Sequence, residues 1–449
     1  MLLDPIKKND MIPNLLIAIQ KKGNEKWLSS VMPFDTVRKM VNQIKGHSKY
    51  DYLILFAPEF IEVLLSKGVS VKNITFIADR TWEAFLIKKL YNVKTSVFSQ
   101  RDSQDDTRGK KRKGISLKFK EKMEGLMPNA KKLIIFGNPP YQKNLSNEGD
   151  ANAQQAVPIY NKFIDACVAL GPKYLSMIIP SRWMQGGRGL DDFRQRMKSD
   201  KRIRSIRHFP GQSEIFKNVS IRGGVNYFLW DRDYNGLCEF NGTNMDLDEY
   251  DVVVLDTKAY PLLKKIPIGN CLNKRVVSTK PFGIRGFFSD WKESGVKCYA
   301  KKGQTGFVGP DDFNDKYGIL NKWKVCVANA GDADAGKDGK YTNFNYTLTI
   351  PPGEICTETF VVVNYFDTEE EAKNFITYMQ TKFLRFFLKI RTASILVSKD
   401  SFGFVPDLGD YSHPWNDEAL CEKFGITDEE FKYIDSLIRS WDDIKSKSY

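Results

Sequence analysis

The sequence predicts an α/β fold: a doubly wound sheet within residues 1–245, followed by an α+β domain over residues 246–449. Three observations predict it. From about residue 50 to 230, short apolar runs alternate with helix-spaced patterns, as a sheet with crossover helices requires. The run Lys132-Leu133-Ile134-Ile135-Phe136 stops in the turn formers Gly137-Asn138-Pro139-Pro140-Tyr141. That is the pattern of a buried parallel strand delivering its last residues to the carboxyl edge of a sheet, where open α/β folds bind ligands. Residues 246–267 then form a transition, beyond which glycine, aromatic residues and isolated strand patterns become more frequent.

Taken in order, residues 52–56 read as a strand, 60–66 as a helix, 74–77 as a strand and 81–90 as a helix. A polar, charged loop over 99–113 precedes the strand at 132–136. After the turn come a helix over 159–170, a strand over 174–179, and a hairpin containing 206–209 and 224–230. In the second domain, 383–388 reads as helix core with basic positions between apolar ones. The stretch 331–340 carries carboxylates and glycines but no glutamate at the last calcium-loop position, so it reads as a loop. No repeat of solenoid period is present.

A chain of 449 residues with 42% hydrophobic content can build two cores. It has no run of about 18 apolar residues, and Met1-Leu2-Leu3-Asp4-Pro5 lacks a signal-peptide pattern, so a soluble, cytoplasmic protein without a membrane partner is expected. Seven cysteines lie without a close pair, which points to reduced thiols rather than disulfides or a zinc site. With only His47, His208 and His413 available, most histidine-based hydrolytic or metal mechanisms are disfavoured. The net charge of +13 and a pI near 9.1 point to a polyanion, with nucleic acid the natural candidate. The charge is densest in Arg108–Lys113 and across 198–207, where Lys198, Lys201, Arg202, Arg204 and Arg207 lie; a solvated surface is the alternative for either run.

Chemistry concentrates in the proline turn. Two prolines fix φ and remove two backbone donors, leaving rigid carbonyl acceptors beside the Asn138 amide and the Tyr141 ring. Acceptors plus a ring suit a planar exocyclic amine. Such a nitrogen is a poor nucleophile while its lone pair is delocalised; hydrogen bonds from its protons to Asn138 Oδ1 and the Pro139 carbonyl favour a pyramidal nitrogen that can attack a methyl group. Stacking on Tyr141 returns about 1–3 kcal/mol toward the cost of taking a base out of a duplex.

Asn138-Pro139-Pro140-Tyr141 resembles motif IV of the DNA amino-methyltransferases, in particular the adenine-N6 enzymes of restriction-modification systems. Ile179-Pro180-Ser181-Arg182-Trp183, Gly186-Gly187-Arg188-Gly189-Leu190 with Phe193-Arg194, and Ile215-Phe216-Lys217-Asn218-Val219 resemble later motifs in matching order. So do Pro281-Phe282-Gly283-Ile284-Arg285, Pro352-Gly353-Glu354-Ile355-Cys356-Thr357 and Trp415-Asn416-Asp417-Glu418. The likeness covers about 130–440 well and the earlier part loosely.

The resemblance implies a Rossmann-like methyltransferase sheet and a C-terminal target-recognition domain, with S-adenosylmethionine as donor and double-stranded DNA as partner. It implies direct transfer to a flipped adenine, and a separate restriction endonuclease wherever cleavage occurs. Asn138, Pro139, Pro140, Tyr141 and Phe216 become the catalytic candidates, Phe216 packing on the face of the base opposite Tyr141. Arg182 and Trp183 become wall residues, and Tyr160 and Phe163 face the core. Arg285, Lys322, Lys324, Arg385, Lys389, Arg391 and Lys399 become candidate DNA contacts.

On the donor side the family places a glycine-rich loop after the first strand, but here Leu55-Phe56-Ala57-Pro58-Glu59-Phe60 has no glycine. Phe56, Glu59, Phe60 and Asp79 are the donor-binding candidates. Glu59 either meets the donor's ammonium or serves as a helix N-terminal acid. Asp79 accepts from ribose hydroxyls, caps the following helix, or both. Asp102 stands near the position beside the donor's adenine, although its polar neighbourhood favours an exposed loop carboxylate, and Pro33, Val37 and Met40 resemble the preceding donor-side segment. The missing glycines keep two alternatives open: a DNA-binding protein that has lost transfer, or a base-modifying enzyme with another donor.

Overall fold

The structure, a computed structural model, describes residues 31–99, 115–127, 130–144, 156–187, 189–211, 215–216, 221, 223–277, 280–330, 335–336, 338–392 and 396–445. The Arg108–Lys113 run, Asp102, Arg188, Asn218 and Val219, and residues 331–334 and 337 of the carboxylate-rich loop lie outside the described residues. The chain divides into two units, Met1–Val253 and Val254–Tyr449. The sequence reading puts the change between 245 and 246.

Among the described residues the first unit opens with α1 (Phe34–Asn42), then alternates β1 (Asp51–Leu55), α2 (Glu59–Ser66), β2 (Ile74–Ala78), α3 (Thr81–Tyr91) and β3 (Lys94–Val97). It continues through α4 (Ile115–Leu126), β4 (Leu133–Gly137), the short strands β5 (Gln142–Asn144) and β6 (Ala156–Pro158), and α5 (Tyr160–Ala169). β7 (Tyr174–Pro180), α6 (Asp191–Ser199), β8 (Ile203–Phe209), β9 (Val225–Asp231), β10 (Cys238–Phe240) and β11 (Thr243–Met245) complete it. Nine strands form one sheet in the order β3-β2-β1-β4-β7-β9-β8-β10-β11, with β5 and β6 paired apart. The pairings from β3 to β7 are parallel, whereas β9 runs antiparallel to both β7 and β8. The doubly wound sheet expected from the sequence is therefore present.

The central strands read as continuous apolar runs because both of their faces are covered: every residue from Tyr52 to Leu55 and from Leu133 to Gly137 is buried. The strand order reverses direction between β1 and β4, which makes their carboxyl ends the switch point of the sheet. There Leu55 is the register partner of both Ile77 and Gly137. A Cβ on Gly137 would lie 2.8 Å from both the Leu55 Cβ and its carbonyl oxygen, so only glycine permits this approach.

The basic stretch from 198 to 207 is not an open cationic face. Lys198 pairs with Asp248 and Lys201 with Asp246, while Arg202 chelates Asp200 through two nitrogens and lies over the Trp230 ring. Arg204 stands 4.0 Å from Asp231, and Arg207 pairs with Glu239. Each cation named from the sequence in that stretch already has an acid beside it, which favours the solvated-surface alternative.

In the second unit, β12 (Val296–Tyr299) lies between β13 (Thr305–Val308) and β16 (Ile355–Cys356), and β14 (Trp323–Ala328) between β15 (Leu348–Ile350) and β17 (Phe360–Phe366). The helices are α7 (Ala259–Leu263), α8 (Glu369–Gln380), α9 (Lys382–Arg391), α10 (Asp417–Phe424), α11 (Asp428–Leu437) and α12 (Trp441–Lys445). α9 is the expected core helix, but its basic positions Arg385 and Arg391 are buried rather than intervening at a surface. Lys324 is buried as well, its ammonium donating to the carbonyls of Lys322 at 2.7 Å, Pro351 at 2.9 Å and Leu320 at 3.0 Å. All three side chains are buried, so they do not present their charge at the surface where the DNA contacts named from the sequence would be made. Among the described residues no helix is long and apolar enough to cross a membrane.

Gly224 immediately precedes β9 at φ 73°, and a Cβ there would fall 2.0 Å from the Phe209 carbonyl oxygen. Gly224→Ala should therefore destabilise the first unit by about 3 kcal/mol, read as a lowered urea midpoint. An unchanged midpoint would contradict the close approach of β8 and β9.

Candidate active site

The Asn138–Tyr141 turn emerges from β4 at the switch point. The Asn138 amide N–H donates to the Leu55 carbonyl at 3.0 Å, extending the β1–β4 ladder by one bond beyond the last strand residue. Pro139 is buried, and the Tyr141 carbonyl accepts from the Ile159 N–H at 3.1 Å, which ties the far end of the turn to the start of α5. Asn138, Pro140 and the Tyr141 ring stay half-buried at the edge. Rigid prolines and two backbone anchors thus hold this loop in one aim.

Phe216 is buried (4% exposed), and its ring meets Tyr141 edge to face, with centroids 6.4 Å apart at 75°. The structure therefore brings together two aromatics separated by 75 residues of chain. With the rings in direct contact, a planar guest that stacks on Tyr141 has to displace or turn one of them.

The other half of the site comes from β1 and α2. Glu59, the first residue of α2, is 1% exposed; its Oε1 accepts from the Met32 N–H at 2.8 Å, and Oε2 has no partner among the described residues. Burial pushes the Glu59 carboxyl up to about 7, against the lowering effect of the Met32 hydrogen bond, with nearby Glu83 and Glu62 adding to the rise. The Tyr141 hydroxyl is also buried without a partner, and its phenol is pushed well above the usual range by burial first and by Glu59 second. Two unsatisfied oxygens, one of them acidic, therefore lie within electrostatic reach of each other at the switch point. A cation with N–H donors fits them.

Phe56 occupies the position where a glycine is expected, and it takes the glycine conformation, with φ 57°. A bulky side chain held there stores about 1–3 kcal/mol of strain. Its N–H bonds the Ile77 carbonyl at 2.9 Å and its ring packs edge-on against Phe163 at 5.6 Å, interactions that offset the strain. Phe163 in turn touches Phe98 and Phe119, and both Phe163 and Tyr160 are buried, as the sequence reading expects. Phe60 is fully buried and stacks on Phe136 at 4.8 Å, so its ring holds α2 to the sheet. Trp183 is buried, whereas Arg182 is exposed.

Asp79 follows β2, its carboxylate 3.8 Å from the Arg80 Nε. The capping alternative is not realised: α3 has Arg80 at its N-cap with no side-chain cap. Instead Glu83, four residues on, reaches back to accept from the Asp79 N–H at 3.1 Å. Burial pushes the Glu83 carboxyl up to about 7 as well. Sequence reasoning passed over Glu83 and Met32; a glutamate at the third helical position is a capping signal that points to the former, and nothing in the sequence marks the latter. Pro33 begins α1, and Val37 and Met40 are core residues beneath α2.

The residues read from sequence as one constellation thus converge on the carboxyl edge of a doubly wound sheet. Residues 77–216 match the Eco57I restriction-modification methylase family. The match to this methylase family begins inside β2 and ends at Phe216, taking in the proline turn but not the donor loop at 55–60. Pro281 and the later motifs also lie outside it. An uncharacterized adenine-specific methylase of Mycoplasma pneumoniae is 38% identical over 109 residues, 24% of this chain. The matched stretch is 25% of that relative's length. Among solved structures, the type IIL restriction-modification enzyme MmeI in complex with DNA aligns at 9% identity and a TM-score of 0.42, over 86% of this chain and 66% of its own. The type IIG restriction endonuclease BpuSI aligns at 11% and 0.39, over 88% of this chain and 61% of its own.

Glu59 and Glu83 supply a pH signature. Each carboxyl has a folded value raised to about 7 from 4.5, so the folded state holds more protons between those values. Their contribution to stability is complete below about pH 4.5 and is lost as pH rises through about 7. Glu59→Gln removes one share of that loss, and the fall in melting temperature between pH 5 and 8 should be shallower than in the unsubstituted protein. Parallel profiles would show that Glu59 is not the buried acid described.

Proposed function

We propose that the protein is an S-adenosylmethionine-dependent DNA methyltransferase that modifies the N6 amino group of an adenine flipped out of duplex DNA. The observation that carries this reading is the Asn138–Tyr141 turn anchored to the end of β1 at the switch point, inside the stretch that matches the methylase family. The second unit is then the part that reads the target sequence, and any cleavage belongs to a separate endonuclease.

The residues present fit the donor. Glu59 Oε2, buried and unpartnered, is the group to receive its ammonium; Asp79, at the end of β2, is the group to receive its ribose hydroxyls; Phe56 shapes the turn beside it. When bound, S-adenosylmethionine supplies an electrophilic methyl group. The chain's own residues prepare the acceptor. Asn138 Oδ1 and the Pro139 carbonyl would accept hydrogen bonds from the two amino protons, drawing the nitrogen lone pair out of the ring and toward the donor side; as the nitrogen gains the methyl carbon and the donor's sulfur–carbon bond breaks, one of these protons is released to solvent. Tyr141 stacks on the base, and Phe216, displaced from its present edge contact, covers the opposite face. No covalent bond to the enzyme is needed.

Phe56 in place of a glycine favours one competing reading, a DNA-binding protein without transfer activity. Titration calorimetry with S-adenosylmethionine separates the two: micromolar binding supports the enzyme, and no detectable heat supports the binding protein. Asn138→Ala should lower methylation of a duplex by roughly a hundredfold or more, since an oriented hydrogen-bonding group at a reaction centre contributes on that scale. DNA affinity in a gel-shift titration should stay within about twofold, because the group specifies chemistry and not phosphate contact. Full turnover in that variant would end the assignment of the turn.

A further inference from the structure

The second unit buries a cation that its described residues do not satisfy. Arg385 lies in the middle of α9 with 0% exposure. Its Nε–H donates to the Thr381 carbonyl at 3.2 Å, but Nη1 and Nη2 meet no acceptor among the described residues. The guanidinium sits 5.5 Å from the centroid of the Trp441 ring, and the Trp441 Nε1–H, also buried, has no acceptor either. Phe344 packs on the Trp441 ring at 5.8 Å, and Asn343 donates through Nδ2 to the Arg385 carbonyl, closing the surroundings with groups that offer Arg385 no negative charge. Asp417 is the acid whose field reaches the guanidinium, yet its two oxygens accept from the backbone N–H groups of Lys382 at 3.1 Å and Phe383 at 2.8 Å.

Burial pushes the Arg385 guanidinium down to about 10, still far above neutrality, so the charge persists. A buried guanidinium is tolerated when its fork is filled, and here the two Nη groups are open. Lys324 of the same unit shows the satisfied alternative, with its ammonium held by backbone carbonyls. A planar fork with two free ends is suited to two oxygens of one oxyanion, and the neighbouring indole N–H supplies a further donor. Trp441 is the first residue of the five-residue α12.

We propose that Arg385 and Trp441 form an internal binding site for a compact oxyanion, a carboxylate or a phosphate group, within the second unit. The site is independent of the methyl-transfer reading and stands whether or not that reading holds.

The test is thermal melting of the full chain in sodium phosphate, sodium acetate or sodium chloride at matched ionic strength. Phosphate or acetate should raise the midpoint by about 3 °C or more over chloride at concentrations well above the dissociation constant. A response to phosphate alone assigns a phosphoryl ligand, and a response to acetate assigns a carboxylate. The increment should vanish in Arg385→Met. If that variant does not fold, Trp441→Phe keeps the ring, removes one donor and should lower the apparent affinity several-fold. Equal midpoints in all three salts would overturn the proposal, as would an undiminished response in Trp441→Phe when Arg385→Met cannot be measured. An increment that survives in folded Arg385→Met would overturn it too.

Discussion

The approach of β1 to β4 at their carboxyl ends governs the first unit. Leu55 and Gly137 face each other in register, and the absence of a side chain at 137 lets the Leu55 carbonyl take the Asn138 N–H at 3.0 Å. From that adjacent pair the chain diverges both ways, through Phe56 into the donor loop and through Asn138 into the proline turn. On the proposed reading, the separation between acceptor and donor is then a property of backbone pairing, less easily disturbed than one set by long side chains. The packing of Phe60 on Phe136, and of Phe136 on Tyr52, stiffens the same two strands from within.

The fold treats buried charge in two ways, and the contrast separates scaffold from site. Lys324 spends its protons on backbone carbonyls and draws a loop together; its ammonium is pushed down to about 8 by burial. Among the described residues, Glu59 uses one oxygen on Met32 and leaves the other unmatched, and Arg385 uses one nitrogen of three. A folded chain has little reason to bury an ion it cannot satisfy unless a ligand completes it. The sheet edge and the interior of the second unit are both incomplete in this sense, with opposite sign.

Much of the first unit was legible because parallel strands covered on both faces write themselves as uninterrupted apolar runs, and because the proline turn is chemically distinctive. β1, β2, β4 and β7 were expected within a residue or so of their observed bounds. Charge was less legible. The cations between 198 and 207 are adjacent in sequence, while the acids that neutralise three of them, at 239, 246 and 248, come from later in the chain. In α9, Arg385 and Arg391 read as surface positions because arginine so often is one, and only tertiary packing turns them inward. Glu83 was missed although its place at the third helical position is a capping signal, because its partner is a backbone N–H and not a complementary side chain.

Phe56 bears on how such chains are found at all. Its backbone takes the left-handed turn at φ 57°, although phenylalanine is not the residue type that makes the turn easy. Glycine at such a place is a permission and not the geometry itself. A search keyed to glycine letters tests for the permission and passes over a chain that retains the shape by packing a ring on Phe163. This chain sets an aromatic contact against the loss of conformational ease, so positions 56 and 163 are coupled. Removing the Phe163 ring would leave the strain at Phe56 uncompensated, whereas a glycine at 56 would remove the strain itself.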